Sequence, residues 1–299
     1  ITPRRNDYVN DTWMTDTGRA LYKEIESEDR LIHYSIEGVH KAYDKAVVAA
    51  TELLKSGKVA MVGSARSSVE EQFFYKAIAE RCGAKVFLVS HHGDGDGLLQ
   101  SEDRTPNLRG ALLTGLISEL PSENLEALAR AINSGAVKTI LAVNEDLTDL
   151  GISKDVLAKV KVIYVGSHAN RTSEVANIVL PSLMVFEKDG SFINQSFRIQ
   201  RFKAAIPGPR GVQSDFMVLE KIAAALAGEK ATAITIDSVW ERMTATIDQL
   251  SDSLRWHSLP EEGVALDATA FLNLGFVETK NLKYDPVAFK EAHAALAEV

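Results

Sequence analysis

Val59-Ala60-Met61-Val62-Gly63-Ser64-Ala65-Arg66-Ser67-Ser68 is the stretch whose reading decides the fold class. Its first four residues form a short continuous apolar run closed by a glycine, the pattern of a strand covered on both faces of a sheet. A small, hydroxyl-rich turn follows, and then Val69, Phe73, Phe74, Ala77 and Ile78 recur at helical spacing. A strand passing through a tight turn into a helix is half of a parallel crossover unit. Upstream, Ala42, Ala46, Val47, Ala50, Leu53 and Leu54 predict an amphipathic helix that Gly57 ends.

The alternation continues downstream. Val86-Phe87-Leu88-Val89 predicts a second strand, and Leu125, Leu128, Ala129 and Ile132 mark a helix stopped by Gly135. Thr139-Ile140-Leu141-Ala142-Val143 predicts the next strand, with a short helix over 153–160 capped by Ser153. Val162-Ile163-Tyr164-Val165 and Ile178-Val179-Leu180 complete the series, the last ending at Pro181. The expected fold class is therefore α/β: a doubly wound, mainly parallel, Rossmann-like sheet with helices on both faces, because parallel strands need right-handed crossovers. Ligands of such sheets sit beyond the carboxyl ends of the strands, so residues 63–68, 90–97, 144–146 and 166–172 are expected to line one crevice.

Beyond Pro181 the texture changes. Glu187-Lys188-Asp189-Gly190 reads as a turn between apolar flanks, followed by Phe192-Ile193-Asn194 and the basic-apolar stretch Phe197-Arg198-Ile199-Gln200-Arg201-Phe202. Helices are expected over 216–227 and 239–250, and an Ala-rich one over 286–298. The organisation this suggests is a lead-in over 1–40, an α/β region over 41–230 and a helical extension over 231–299.

Composition bounds the function classes. The chain has 299 residues, 45% hydrophobic and 25% charged, enough to bury a large core. Its formal net charge of -8, with Lys and Arg scattered, offers no footprint for a phosphate backbone, so no nucleic-acid partner is expected. No apolar run approaches the roughly 18 to 20 residues needed to cross a bilayer, and direct membrane insertion is not expected. Cys82 is the only cysteine, which removes intrachain disulfides and nearly excludes cluster ligation by this chain. Standing at a helix end before Gly83, it reads as a small buried hydrophobe. Because it starts at Ile1 with a polar, extended-looking stretch, the chain is expected to be a piece of a longer protein.

Three stretches carry candidate chemistry. The 63–68 turn opens a helix, whose amides suit an anion, but it lacks the second and third glycines of the dinucleotide fingerprint, and Ser67 or Ser68 suits a helix N-cap. His91-His92-Gly93-Asp94-Gly95-Asp96-Gly97 places two imidazoles and two carboxylates after a strand, with neither calcium-hand nor zinc spacing, and reads as a solvated loop. A Ser-His-Asp arrangement can be assembled on paper from Ser167, His168 and several Asp residues, but no nucleophile elbow of the Gly-x-Ser-x-Gly kind precedes a helix.

Two longer stretches go further. Ile1-Thr2-Pro3-Arg4 with Val9-Asn10-Asp11-Thr12-Trp13-Met14-Thr15-Asp16-Thr17-Gly18-Arg19 resembles the join between the iron–sulfur and molybdopterin-oxidoreductase-like regions in the large iron–sulfur subunit of respiratory NADH:quinone oxidoreductase, or complex I. Arg171-Thr172-Ser173-Glu174-Val175-Ala176-Asn177-Ile178-Val179-Leu180-Pro181, followed by Glu187-Lys188-Asp189-Gly190-Ser191-Phe192-Ile193-Asn194, resembles that family's signature. Val69-Glu70-Glu71, Thr105-Pro106-Asn107 with Gly110, and Asp215-Phe216 add weaker support, and the resemblance spans residues 1–227.

The resemblance implies a non-catalytic structural domain without a cofactor of its own, beside iron–sulfur clusters carried by an upstream region. It implies as partners the other hydrophilic-arm subunits of complex I, in a peripheral position on the cytoplasmic face of the inner membrane. Some relatives have a cluster-ligating Cys where this chain has Thr15, and a hydroxyl does not replace a thiolate, so no metal is expected there. The resemblance also implies a vestigial pocket, with Gly63, Ser64, His168, Asn170, Glu187, Lys188, Asp189, Gly190 and Asn194 as its candidate lining. Two alternatives stay open: a fragment of a molybdenum or tungsten pterin oxidoreductase such as a formate dehydrogenase, and a nucleotide-binding module using residues 63–68.

Overall fold

The computed structural model describes residues 1–276, apart from 97, 98, 123, 124 and 233. Its main sheet is built from β1 (Ser35–Ile36), β2 (Val39–His40), β3 (Val59–Ser64), β4 (Lys85–Val89), β5 (Thr139–Val143), β6 (Lys161–Gly166) and β7 (Ile178–Pro181). The order is β2-β1-β7-β6-β5-β3-β4. From β4 through β3, β5 and β6 to β7 all pairings are parallel, as the alternating pattern predicts. The lead-in adds β1, antiparallel to β7, and β2, antiparallel to β1 at the sheet edge.

The helices are α1 (Asp16–Ala20), α2 (Tyr43–Lys55), α3 (Val69–Cys82), α4 (Leu108–Leu113), α5 (Glu126–Asn133), α6 (Lys154–Leu157), α7 (Arg171–Glu174), α8 (Asp215–Ala227) and α9 (Ile236–Thr244). Side chains of β5 divide at period two: Leu141 and Val143 join the core under α2, α3 and α8, while Ile140 and Ala142 join the core under α5 and α6. Both faces are thus dry, which is why the strands read as unbroken apolar runs. α3 starts at a reciprocal capping box between Ser68 and Glu71 and stops where Gly83 turns left-handed at φ 62.

Two features depart from the sequence expectation. Over the turn and the basic-apolar stretch, β8 (Gly190–Ile193) and β9 (Arg198–Phe202) pair antiparallel, and β10 (Val264–Ala265) joins them in the order β10-β9-β8. The expected helical extension therefore contains α9 but also a strand, and α9 ends at Thr244, short of residue 250. Strands this short carry almost no periodicity, so only pairing with distant partners defines them. The helix expected over 286–298 lies outside the described residues. The second sheet packs against the body through Gly190, where an added Cβ would stand 2.6 Å from the Phe202 ring and 3.1 Å from Ser68 Cβ. The buried Trp256 indole donates to the Gly190 carbonyl at 3.0 Å.

Candidate functional site: the carboxyl ends of the strands

The chain leaves β3 for β4 on one side and returns to β5 on the other. Connections therefore diverge above the β3/β5 boundary, the place where doubly wound sheets open a notch. Glu145 fills it. Although only 2% exposed, its carboxylate accepts from Ser64 Oγ at 2.5 Å and lies 2.8 Å from His91 Nε2. The preceding Asn144 adopts φ 54, a left-handed conformation that asparagine tolerates, and its Oδ1 accepts from the Ser167 amide at 3.3 Å. Residues from all four expected segments thus meet.

The turn at 64–68 has little left to offer an anion. The Ala65 amide donates to the Val89 carbonyl at 2.9 Å and the Ser67 amide to the Ser64 carbonyl at 3.1 Å. The Arg66 amide takes Ser64 Oγ at 3.1 Å and the Ser68 amide takes Glu71 Oε2 at 2.7 Å. The chain's own Glu71 carboxylate thus occupies the N-terminus of α3, where a phosphate would otherwise be stabilised.

Of the candidate lining, Gly63 and Ser64 end β3, and His168 and Asn170 follow β6. His168 Nδ1 lies 3.0 Å from Ser167 Oγ, but its Nε2 faces the Glu24 carbonyl at 2.8 Å, so no carboxylate completes a triad. Asn170 caps α7 and donates to the Tyr164 hydroxyl at 2.9 Å. Glu187 pairs with the Arg30 guanidinium. Lys188 reaches Glu71 at 2.6 Å and Asp215 at 2.7 Å. Asp189 accepts from the Ala204 amide at 2.9 Å, and Asn194 Oδ1 turns β8 into β9 by accepting from the Ser196 and Arg198 amides, both at 3.0 Å. These later residues engage in internal contacts. Thr15 caps α1, its Oγ1 accepting from the Gly18 amide at 3.0 Å.

Burial pushes the Asp215 carboxyl up to about 7, with Lys188 working against the shift and Glu71 adding to it. Burial pushes Glu71 up as well, but the Lys188 charge and hydrogen bonds from Asp215, Lys188 and the Ser68 amide together hold it below the usual carboxylate value. Near the notch, burial raises Asp146, yet hydrogen bonds from Thr148, Arg171 and Thr172 bring it below its ordinary value.

Residues 91–96 and 99–104 run alongside each other, tied by the Gly93 amide donating to the Glu102 carbonyl at 3.0 Å and the Arg104 amide donating to the His91 carbonyl at 2.8 Å. Among the described residues, no group of three or more His, Cys, Asp or Glu side chains is placed to hold a metal ion. Sequence reasoning placed Glu145 in a crevice segment without singling it out, and it overlooked Arg30 altogether. An acidic residue directly after an apolar strand was the available signal; its partner His91 lies 54 positions away.

Residues 58–225 match the molybdopterin oxidoreductase family. The chain is 29% identical over 140 residues to the F420-dependent formate dehydrogenase 2 subunit alpha of Methanococcus maripaludis, covering 42% of this chain and 20% of that protein. It is 30% identical over 78 residues to the mitochondrial NADH-ubiquinone oxidoreductase 78 kDa subunit of Neurospora crassa, covering 26% and 10%. A nitrate reductase of Symbiobacterium thermophilum is 30% identical over 118 residues, covering 38% and 16%. The matched part thus spans a fifth or less of each of these relatives.

Proposed function

Because the chain belongs to the molybdopterin oxidoreductase family, we propose that it is a non-catalytic structural domain of the large iron–sulfur subunit of an NADH:quinone oxidoreductase, whose parent complex passes electrons from NADH to quinone. The observation that carries this reading is the internal engagement of groups that would anchor a phosphate-bearing pterin. The amides of residues 65–68 bond within the chain, Lys188 is neutralised by Glu71 and Asp215, and Arg30 is neutralised by Glu187. Glu145 places a carboxylate at the notch itself, where a diphosphate would meet like charge. The residues present do not fit a pterin dinucleotide, and we read the pocket as vestigial.

In this reading the domain supplies packing surface and stability to an upstream iron–sulfur region, and its partners are the other hydrophilic-arm subunits. Thr15 supplies a capping hydroxyl and not a thiolate, which supports the part of this reading that places no extra cluster at that position. No helix among the described residues is long and apolar enough to cross a membrane. A peripheral position on the cytoplasmic face, held through partner subunits, belongs to the same proposal.

A second reading, a fragment of a molybdenum or tungsten oxidoreductase such as a formate dehydrogenase, is favoured by the longer match to a formate dehydrogenase subunit, 140 residues against 78. Metal analysis and pterin fluorescence of the natively purified full-length parent separate the two. The first reading expects iron without stoichiometric molybdenum, tungsten or pterin. Stoichiometric metal with pterin would overturn it and establish the second.

A further inference from the structure

Residues 1–33 contain no buried residue, and Tyr34 is the first. Segment 24–31 nevertheless lies across the carboxyl ends of β6 and β7, where a doubly wound sheet would otherwise present half of its crevice. The Ala169 amide donates to the Asp29 carbonyl at 2.7 Å, and the Leu31 amide donates to the Ser167 carbonyl at 2.9 Å. His168 Nε2 faces the Glu24 carbonyl at 2.8 Å.

One side chain pins this crossing. Arg30 donates to the Ser167 carbonyl at 2.6 Å and the Ser182 carbonyl at 3.1 Å, and its guanidinium pairs with Glu187. The two side chains are 7% and 2% exposed. Arg30 Nε is buried without a hydrogen-bond partner among the described residues, so the guanidinium is held by the Glu187 charge and the carbonyls and not by full satisfaction.

We propose that residues 24–31 form a strap that occupies the β6–β7 half of the crevice, held shut by the Arg30–Glu187 pair, and that its release joins this half to the notch at Glu145. The two halves are already contiguous: the Ser167 carbonyl lies under the strap, while the Ser167 amide is held by Asn144, the neighbour of Glu145. A segment with so little apolar burial opens locally, at a free energy far below that of global unfolding. The inference goes beyond the parentage of the domain and holds for either reading of it.

Native-state hydrogen exchange on the 299-residue chain tests it. In the unaltered protein, the Leu31 and Ala169 amides are expected to exchange through an opening insensitive to low denaturant, while β6 amides exchange only through denaturant-sensitive global unfolding. Exchange of both sets with the same denaturant dependence would overturn the strap. In Arg30→Met, and in Arg30→Met/Glu187→Gln where no buried charge is left alone, Leu31 and Ala169 are expected to exchange at least tenfold faster while β6 protection persists. Unchanged rates at those two amides, or acceleration shared by β5 and β6, would count against it.

Discussion

Lys188 Nζ lies 2.7 Å from Asp215 Oδ2, joining the β7–β8 connection to the first turn of α8 inside the body of the protein. Glu71, from the first turn of α3, completes the cluster at 2.6 Å from the same ammonium. Side-chain exposures of 13%, 5% and 2% for Lys188, Asp215 and Glu71 leave water little part in it. Removing the cation alone strands two carboxylates in low dielectric, so Lys188→Met is expected to lose about 3–5 kcal/mol of stability. Urea unfolding followed by fluorescence of the buried Trp240 and Trp256 measures this; a loss below about 1 kcal/mol would show that water reaches the site.

The same cluster sets a pH dependence. Burial raises the Asp215 pKa from 3.8 to about 7, so folding takes up a proton there; its contribution is fully present below the unfolded value and fades as pH rises through 7. Glu71 is lowered from 4.5, and its contribution fades instead as pH falls through its folded value. Stability is therefore expected to decline between about pH 4 and pH 7 through Asp215, and Asp215→Asn should flatten that slope while keeping the acid limb. Equal slopes in the two proteins over this window would refute the assignment.

Gly190 is expected to resist substitution by alanine although it opens an ordinary strand. The added Cβ would press on the Phe202 ring at 2.6 Å and on Ser68 Cβ at 3.1 Å, so the second sheet must shift away from the N-terminus of α3. Overpacking of this kind costs about 1–3 kcal/mol. A thermal midpoint for Gly190→Ala equal to that of the parent chain would show that the sheet moves freely.

Calorimetric titration of the chain with NADH, FAD and ATP is expected to give no binding heat, because the amides of residues 65–68 and the N-terminus of α3 are already engaged by Ser64, Val89 and Glu71. A saturable heat would show that this hydrogen-bonded turn rearranges around a phosphate.

The parallel sheet was legible because its cues are local. Val59 to Val62 and Ile140 to Val143 are buried throughout and appear in the sequence as unbroken apolar runs. Ser68, Glu71 and Gly83 mark the two ends of α3 within a few residues of where they act. The second sheet was not legible: β10 pairs through Val264 and Ala265 alone, and its partner Ile199 lies far back in the chain. In the site, the turn at 64–68 was visible as a motif, but the bonds that use up its amides were not.

Residue order alone determined the strand–helix alternation, the caps and the scarcity of thiols, since each depends on backbone period or on composition within a few positions. Only the tertiary structure decided which buried charges meet. Lys188 finds Glu71 across 117 positions and Arg30 finds Glu187 across 157. A buried charge dictates that it must have a partner, but the path of the chain chooses which one, and that choice leaves the crevice answered from within.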